Sequence, residues 1–373
     1  MMTRRARCLC RLPFALLAAA TACGATDEPI RIGGAGWNSS TSTAPHDNLF
    51  GIQIAIDEAN AAGGVHGRQL VLVPADDHGL GTGGVRVAGQ FVDDRSIVAV
   101  VGHQISQAML AAVPVYDGKL AAVGTTTTST ALTGLSSWAF RVAHSDDALG
   151  AQLAGFAVAQ GWRRIAILYE NDDYGRTLAS SVESAAKKLG GQVVAKDPFI
   201  HGDEDLAVFV KTYVELKPDI VVVICTDGSA LALIRTAAAL RLRSHIIGAD
   251  GWTAALALNR EAEGIFIPSA FLPDDERVAA QHYRVAFRRR HGRDPDAISA
   301  LGYDAARVVI AAIERGGASR RAVHEALADK NFAIEGATGP IRFERGDRVG
   351  GGGGLVQVRN GKLHTYLRWA DTP

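Results

Sequence analysis

Four short stretches carry side chains able to recognise a small charged molecule. The first is AVGTTTTSTALTG (122–134), where an apolar run from Leu120 to Val123 gives way to Thr125, Thr126, Thr127, Thr128, Ser129 and Thr130. A strand ending at Gly124, then hydroxyls, then TALT predicts a strand-to-helix junction. Free backbone N–H groups at such a junction favour an anion. The hydroxyls add donors without adding charge, which suits a carboxylate held by about 1.5–3 kcal/mol per charge-assisted bond. The plainer reading is a solvated threonine turn capping a helix. The second stretch, VGHQISQAM (101–109), sets Ser106 at a helix start, with simple capping as the competing role and His103 as a structural residue. The third, LYENDDYGR (168–176), is an acidic helix-opening turn in which Tyr174 offers a rigid ring and a hydroxyl. The fourth, IIGADGW (246–252), puts Asp250 and Trp252 directly after a strand. A carboxylate there is a natural partner for an ammonium group; an N-cap carboxylate is the alternative.

Other chemistries find no residues. No G-x-x-x-x-G-K-[ST] loop and no H-E-x-x-H occur. GGAGW (33–37) lacks the spaced third glycine of a dinucleotide fingerprint, and no G-x-S-x-G elbow is present. Asp76-Asp77-His78 has no companion His/Cys cluster and reads as a solvated turn, so no metal and no cofactor are expected. Without a nucleophile–base constellation the chain does not read as an enzyme.

The elements that must position these stretches form a rhythm. Apolar runs such as IRIGG (30–34), QLVLVPAD (69–76), IVAVVG (97–102), KLAAVG (119–124), RIAILYE (164–170) and DIVVVIC (219–225) alternate with helical patterns. Short continuous apolar strands between helices mean parallel sheets covered on both faces. A chain of 373 residues exceeds one ordinary core, and the two series suggest two doubly wound domains with a seam at RVAHSDDALG (141–150). Beyond it come helices at 275–292, 296–317 and 319–330, then short strands with Gly-rich turns. Cys225 ends an apolar run and reads as buried and inert.

Thirty-nine basic residues balance 39 acidic ones, so composition suggests no nucleic-acid partner. The N-terminus, MMTRRARCLCRLPFALLAAATAC, has a basic start, a short apolar stretch and small residues before Cys23. It reads as a signal peptide over 1–22. Ala20-Thr21-Ala22-Cys23 resembles a lipoprotein cleavage site that would leave a lipidated Cys23 as a membrane anchor; ordinary cleavage after Ala22 is the alternative.

Several segments, in order and spacing, carry a resemblance: GIQIAIDEANAAGGVHGRQLVLVPADD, VAVVGHQISQA, YGRTLASSVESAAKKLGGQVV, PDIVVVICTDGSALALIRTAAALRL, GYDAARVVIAAIERGG and GATGPIRFERGDRV. Across residues 29–370 the chain resembles the type I periplasmic binding proteins, specifically the branched-chain amino-acid (Leu/Ile/Val-type) substrate-binding proteins of ABC transporters. The resemblance implies an α/β fold of two doubly wound, Rossmann-like lobes joined by three crossovers, closing on a ligand like a Venus flytrap. Lobe 1 would comprise 24–145 plus 274–345, and lobe 2 146–273 plus 346–373. Ser106 and Thr128 match residues that contact the ligand's α-carboxylate, and Thr126 a neighbour contributing backbone groups. Asp250 falls where an acid, often Glu, pairs with the α-ammonium. Tyr174 matches the Y-G tyrosine of the second lobe. A second tier of ligand-binding candidates is Trp37, Gln104, Thr127, Thr226 and Trp252. Ala44 lies near the position where relatives often carry an aromatic over the ligand side chain, for which Trp37 of the same loop would substitute, and Thr226 stands where a tyrosine is common. The implied function is capture of a small amino acid outside the cytoplasm and delivery to a permease. A ligand-sensing receptor of the same fold, binding an amide, carboxylate or aromatic compound, is the alternative.

Overall fold

A computed structural model describes residues 28–36, 43–202 and 205–371. The expected signal peptide, Cys23 and Trp37 lie outside them. The first half runs β1 (Ile30–Gly36), α1 (Thr43–Ala61), β2 (Leu70–Asp76), α2 (Gly81–Asp93), β3 (Ile97–Val101), α3 (Ser106–Tyr116), β4 (Ala122–Gly124), β5 (Ala139–Arg141), α4 (Asp146–Ala159), β6 (Arg164–Glu170) and α5 (Asp173–Lys188). The second half runs β7 (Gln192–Phe199), α6 (Ala207–Leu216), β8 (Ile220–Ile224), α7 (Asp227–Ala239), β9 (His245–Ile247), β10 (Phe266–Ser269), α8 (Val278–His291), α9 (Ala297–Gly316), α10 (Arg320–Ala328), β11 (Ile334–Gly336), β12 (Gly339–Glu344), β13 (Asp347–Val349), β14 (Gly354–Arg359) and β15 (Lys362–Arg368).

The continuous apolar strands dictate the architecture. β3 and β8 are buried at every residue, which requires helices on both faces of the sheet. One sheet has the order β2-β1-β3-β4-β5, with every pair parallel. The other has the order β15-β14-β10-β9-β8-β6-β7. Its β6–β10 members are parallel, and the β14–β15 hairpin adds antiparallel to β10. This is the doubly wound α/β fold in two lobes. A small antiparallel sheet, β11-β12-β13, packs on the first lobe: Arg141 N donates to Gly346 O at 3.0 Å, and Ile341 joins the core formed with α1 and α9.

Three passages connect the sheets: β5 to α4, β10 to α8, and Gly350–Gly353 before β14. The expected boundary between residues 345 and 346 falls inside the β12–β13 hairpin, because Asp347 pairs with Glu344 and Val349 with Arg342. Two further details differ from the sequence reading. β4 is only three residues long, and TALT yields a single 3-10 turn, Thr130–Leu132, instead of an α-helix. β5, which no long apolar run announces, supplies the fifth strand.

Candidate functional site

In open α/β sheets, ligands bind beyond the carboxyl ends of the strands. The loop after β3 begins with Gly102 at φ +116°, where a Cβ would come within 1.9 Å of Ala35 O, so glycine is required. His103 is structural: Nδ1 lies 2.5 Å from Asp77 Oδ2 and Nε2 3.0 Å from Tyr116 Oη, with all three side chains buried. Asp77 is therefore a buried anchor of this loop and not part of a solvated turn; His78 alone is exposed beside Asp76.

Pinned in this way, the loop receives the threonine stretch. Thr125 N donates to His103 O at 3.3 Å, and Thr126 Oγ1 donates to the carbonyl of buried Gln104 at 2.7 Å. Ser106 is the first residue of α3 and caps nothing; the N-cap, Ile105, has no side-chain bond. Instead Ser106 Oγ accepts from Thr128 N and Ser129 N, both at 3.3 Å. The hydroxyls thus divide their duties. Thr126 is committed to Gln104, and Thr127 folds back over Gly124, where a Cβ would meet its Oγ1 at 2.2 Å. The Thr125, Thr127 and Thr128 hydroxyls are all buried and make no hydrogen bond.

Two residues the sequence reading passed over support this wall, and the second of them reaches the other lobe. Arg141 is fully buried; its Nη1 donates to Thr128 O (2.8 Å) and Ser129 O (2.7 Å), and its Nη2 to Thr133 Oγ1 (2.8 Å) and Asp347 Oδ1 (2.7 Å). Burial pulls the guanidinium pKa down, and Asp347 opposes that. Asp146 opens α4, and its N–H donates to Thr128 O at 2.8 Å. Its Oδ2 accepts from Thr177, while Oδ1 makes no hydrogen bond and lies near the equally bare Thr128 hydroxyl. Burial pushes the Asp146 carboxyl up to about 7; Thr177 opposes this, and the charge of Asp250 adds to it. The only signal for either residue was their place in the seam RVAHSDDALG, where SDD also reads as a helix start.

On the second lobe, Asp172 caps α5 by accepting from Gly175 N at 2.7 Å, and this presents Tyr174. Tyr174 Oη donates to Asp250 Oδ1 at 2.7 Å. Asp250 is no N-cap: it is partly buried, burial raises its carboxyl pKa, and the Tyr174 bond opposes that. Among the described residues no Lys, Arg or His forms a salt bridge with it. Thr226 N reaches Glu170 Oε2 at 3.5 Å, and Glu170 pairs with His201 at 2.6 Å. Trp252 does not join the site. It is buried in the core of the lobe, folded over Gly248, where a Cβ would come within 2.3 Å of the indole. Cys225 is free and buried in the same core, and burial pushes its thiol up.

The geometry therefore gathers Ser106, Thr126 and Thr128 on one wall and Tyr174 and Asp250 on the other, with Asp146 between. One wall is neutral and rich in N–H and O–H groups; the other is acidic. That polarity matches a zwitterion. No group of three metal-ligating side chains occurs among the described residues. A surface cavity of about 640 Å³ lies at the opposite end of the second lobe, by Pro218 and His245, and shares no residue with this site.

The sequence profile described as periplasmic binding protein matches residues 29–362. An amino acid binding protein of Pseudomonas aeruginosa is 33% identical over 164 residues, 43% of this chain and 44% of that protein. The chain thus aligns with less than half the length of that relative. The Leu/Ile/Val-binding protein BraC3 of Rhizobium johnstonii is 30% identical over 329 residues, covering 84% of this chain and 87% of that one. The crystal structure of an ABC transporter substrate-binding protein from Desulfitobacterium hafniense in complex with Leu superposes with a TM-score of 0.80 at 28% identity, covering 91% of this chain and all of the other. Fold and similarity over most of the chain converge: the chain belongs to the periplasmic binding protein family, as a type I member related to the branched-chain amino-acid binding proteins.

Proposed function

We propose that this chain is an extracytoplasmic substrate-binding protein that captures a small α-amino acid, of branched-chain type or a close analogue, and delivers it to an ABC-transporter permease. One observation carries the reading: Asp250 is a partly buried carboxylate whose hydrogen-bond partner, Tyr174, is neutral and which has no cationic partner among the described residues. An ammonium group supplies the missing charge. The neutral wall suits the other end of such a ligand. The two bonds to Ser106 Oγ are long at 3.3 Å, so an incoming carboxylate oxygen competes well for Thr128 N–H while Ser106 turns to donate. The names of the Rhizobium relative and of the Leu complex support the ligand class.

The lobes, bounded as the sequence reading gave them but with the third passage at Gly350–Gly353, would close about their three connections. The work is binding without chemistry, and a micromolar site requires only about 8 kcal/mol. The reading extends to a lipid anchor on Cys23.

The test is a thermal-shift panel of amino acids, each beside its des-amino and amide analogue. We expect only intact α-amino acids to stabilise the protein, by roughly 2.7 kcal/mol at a hundred times the dissociation constant. Stabilisation by des-amino acids or amides instead would make Asp250 structural and favour a sensor for another ligand class.

A further inference from the structure

Asp146 is fully buried at the start of α4, and its Oδ1 makes no hydrogen bond. The groups around it come from four directions: Thr177 and Tyr174 on α5, Thr128 on the threonine stretch, Arg141 on β5, and Asp250 beyond β9, with Asp147 beside it on α4. Only Arg141 is cationic, and its guanidinium is already bonded to two carbonyls, Thr133 and Asp347. The charge of partly buried Asp250 thus reaches fully buried Asp146, and no cation is dedicated to either. Two like charges so placed disfavour joint ionisation. Burial and the charge of Asp250 therefore favour a proton on Asp146, and a cation placed beside it would oppose that proton.

We propose that Asp146 is a second acceptor for the cationic end of the ligand, and that capturing the ligand expels a proton from the Asp146–Asp250 pair. The proposal rests on the amino-acid reading and adds a proton to its stoichiometry. The balance is simple: the carboxyl O–H gives H⁺ to solvent, and the freed oxygen accepts an ammonium N–H; no other bond changes. Because burial holds the Asp146 carboxyl at about 7, the amount released depends on pH. It should be largest at pH 6 and fall towards zero as pH rises through 8. The sign follows: protons compete with the ligand's cation, so affinity rises with pH and levels off above about pH 8.

Isothermal titration of the mature protein with L-leucine, in buffers of different ionisation enthalpy at pH 6, 7 and 8, measures this directly. L-Isoleucine, L-valine and L-alanine extend the set. The expected result is a binding enthalpy linear in buffer ionisation enthalpy, with a slope that reports proton release and grows from pH 8 to pH 6. Asp146→Asn should weaken binding and remove the slope. Binding with zero slope at every pH overturns the proposal and leaves the amino-acid reading standing. An unchanged slope in Asp146→Asn overturns it too, since the proton then comes from elsewhere. Absence of binding by all four amino acids overturns both readings together. Should Asp146→Asn fail to fold, the wild-type slopes alone decide.

Discussion

At the scale of single residues, the site is a division of labour among polar groups that look interchangeable in the sequence. Asp250, immediately after a strand, was legible because a carboxylate at that place needs a partner. Tyr174 was legible as an aromatic with a hydroxyl at a helix start. Their mutual bond was not, because 75 residues of intervening chain separate them and only the β6–β8–β9 register brings the two strand ends together. The threonine stretch reads as a row of equal donors, yet the Thr126 hydroxyl is committed to Gln104, while those of Thr125, Thr127 and Thr128 are buried without a partner, Thr127 over Gly124 and Thr128 beside Asp146. Asp146 and Arg141 were illegible: a helix-start acid and a strand-end arginine have common structural roles. Losing one member of a buried charge pair costs about 2 kcal/mol or more. Asp250→Asn should therefore weaken an amino-acid ligand by roughly thirtyfold or more, as read by calorimetry. A change of less than about threefold would show that Asp250 does not meet the ammonium.

At the scale of elements, the fully buried strands were plain because a run such as IVAVV or IVVVI can be satisfied only between two helical layers. The short elements were not. β5 has three residues, and the segment after β4 has its backbone held by His103 O and by Asp146 N and Arg141 instead of an α-helix. Helix packing also rests on features with little sequence signal. α1 and α9 approach closely enough that a Cβ on Gly51 would sit 1.9 Å from Ser299 O and one on Gly302 would sit 2.3 Å from Asn48 O. Both obstacles are backbone and cannot rotate away. Gly51→Ala should force the helices apart and lower stability by about 1–3 kcal/mol, seen as an earlier midpoint in urea unfolding. An unchanged midpoint would mean the two helices separate without cost.

At the scale of the whole molecule, two sheets are tied by three passages, and the proposed site draws on the strand ends of both. Arg141 braces one connection by holding both the threonine stretch and Asp347 of the small antiparallel sheet. Arg348 braces the same region, donating to Val142 O at 2.9 Å and to Thr338 Oγ1 at 2.7 Å. Membership of the periplasmic binding protein family implies an extracytoplasmic location. No described helix is long and apolar enough to cross a membrane, and the proposed attachment is a lipid on Cys23. Cys23→Ser should move the protein from the membrane fraction to the soluble fraction of an expressing cell. Unchanged fractionation would reject that anchor.

The sequence by itself determined the layered α/β architecture, the pairing of helices with strands, and the strand ends at which a ligand would be met, since hydrophobic period and turn chemistry are local properties. It also determined the polarity of two of those ends, hydroxyl-rich at 125–130 and acidic at 250. The tertiary structure alone decided which hydroxyl is committed to Gln104, that Trp252 serves the core, that Asp77 is an anchor, and that the charge of Asp250 reaches buried Asp146. Each of these depends on which partner reaches a polar atom first across a long separation in sequence, and composition and spacing do not encode that.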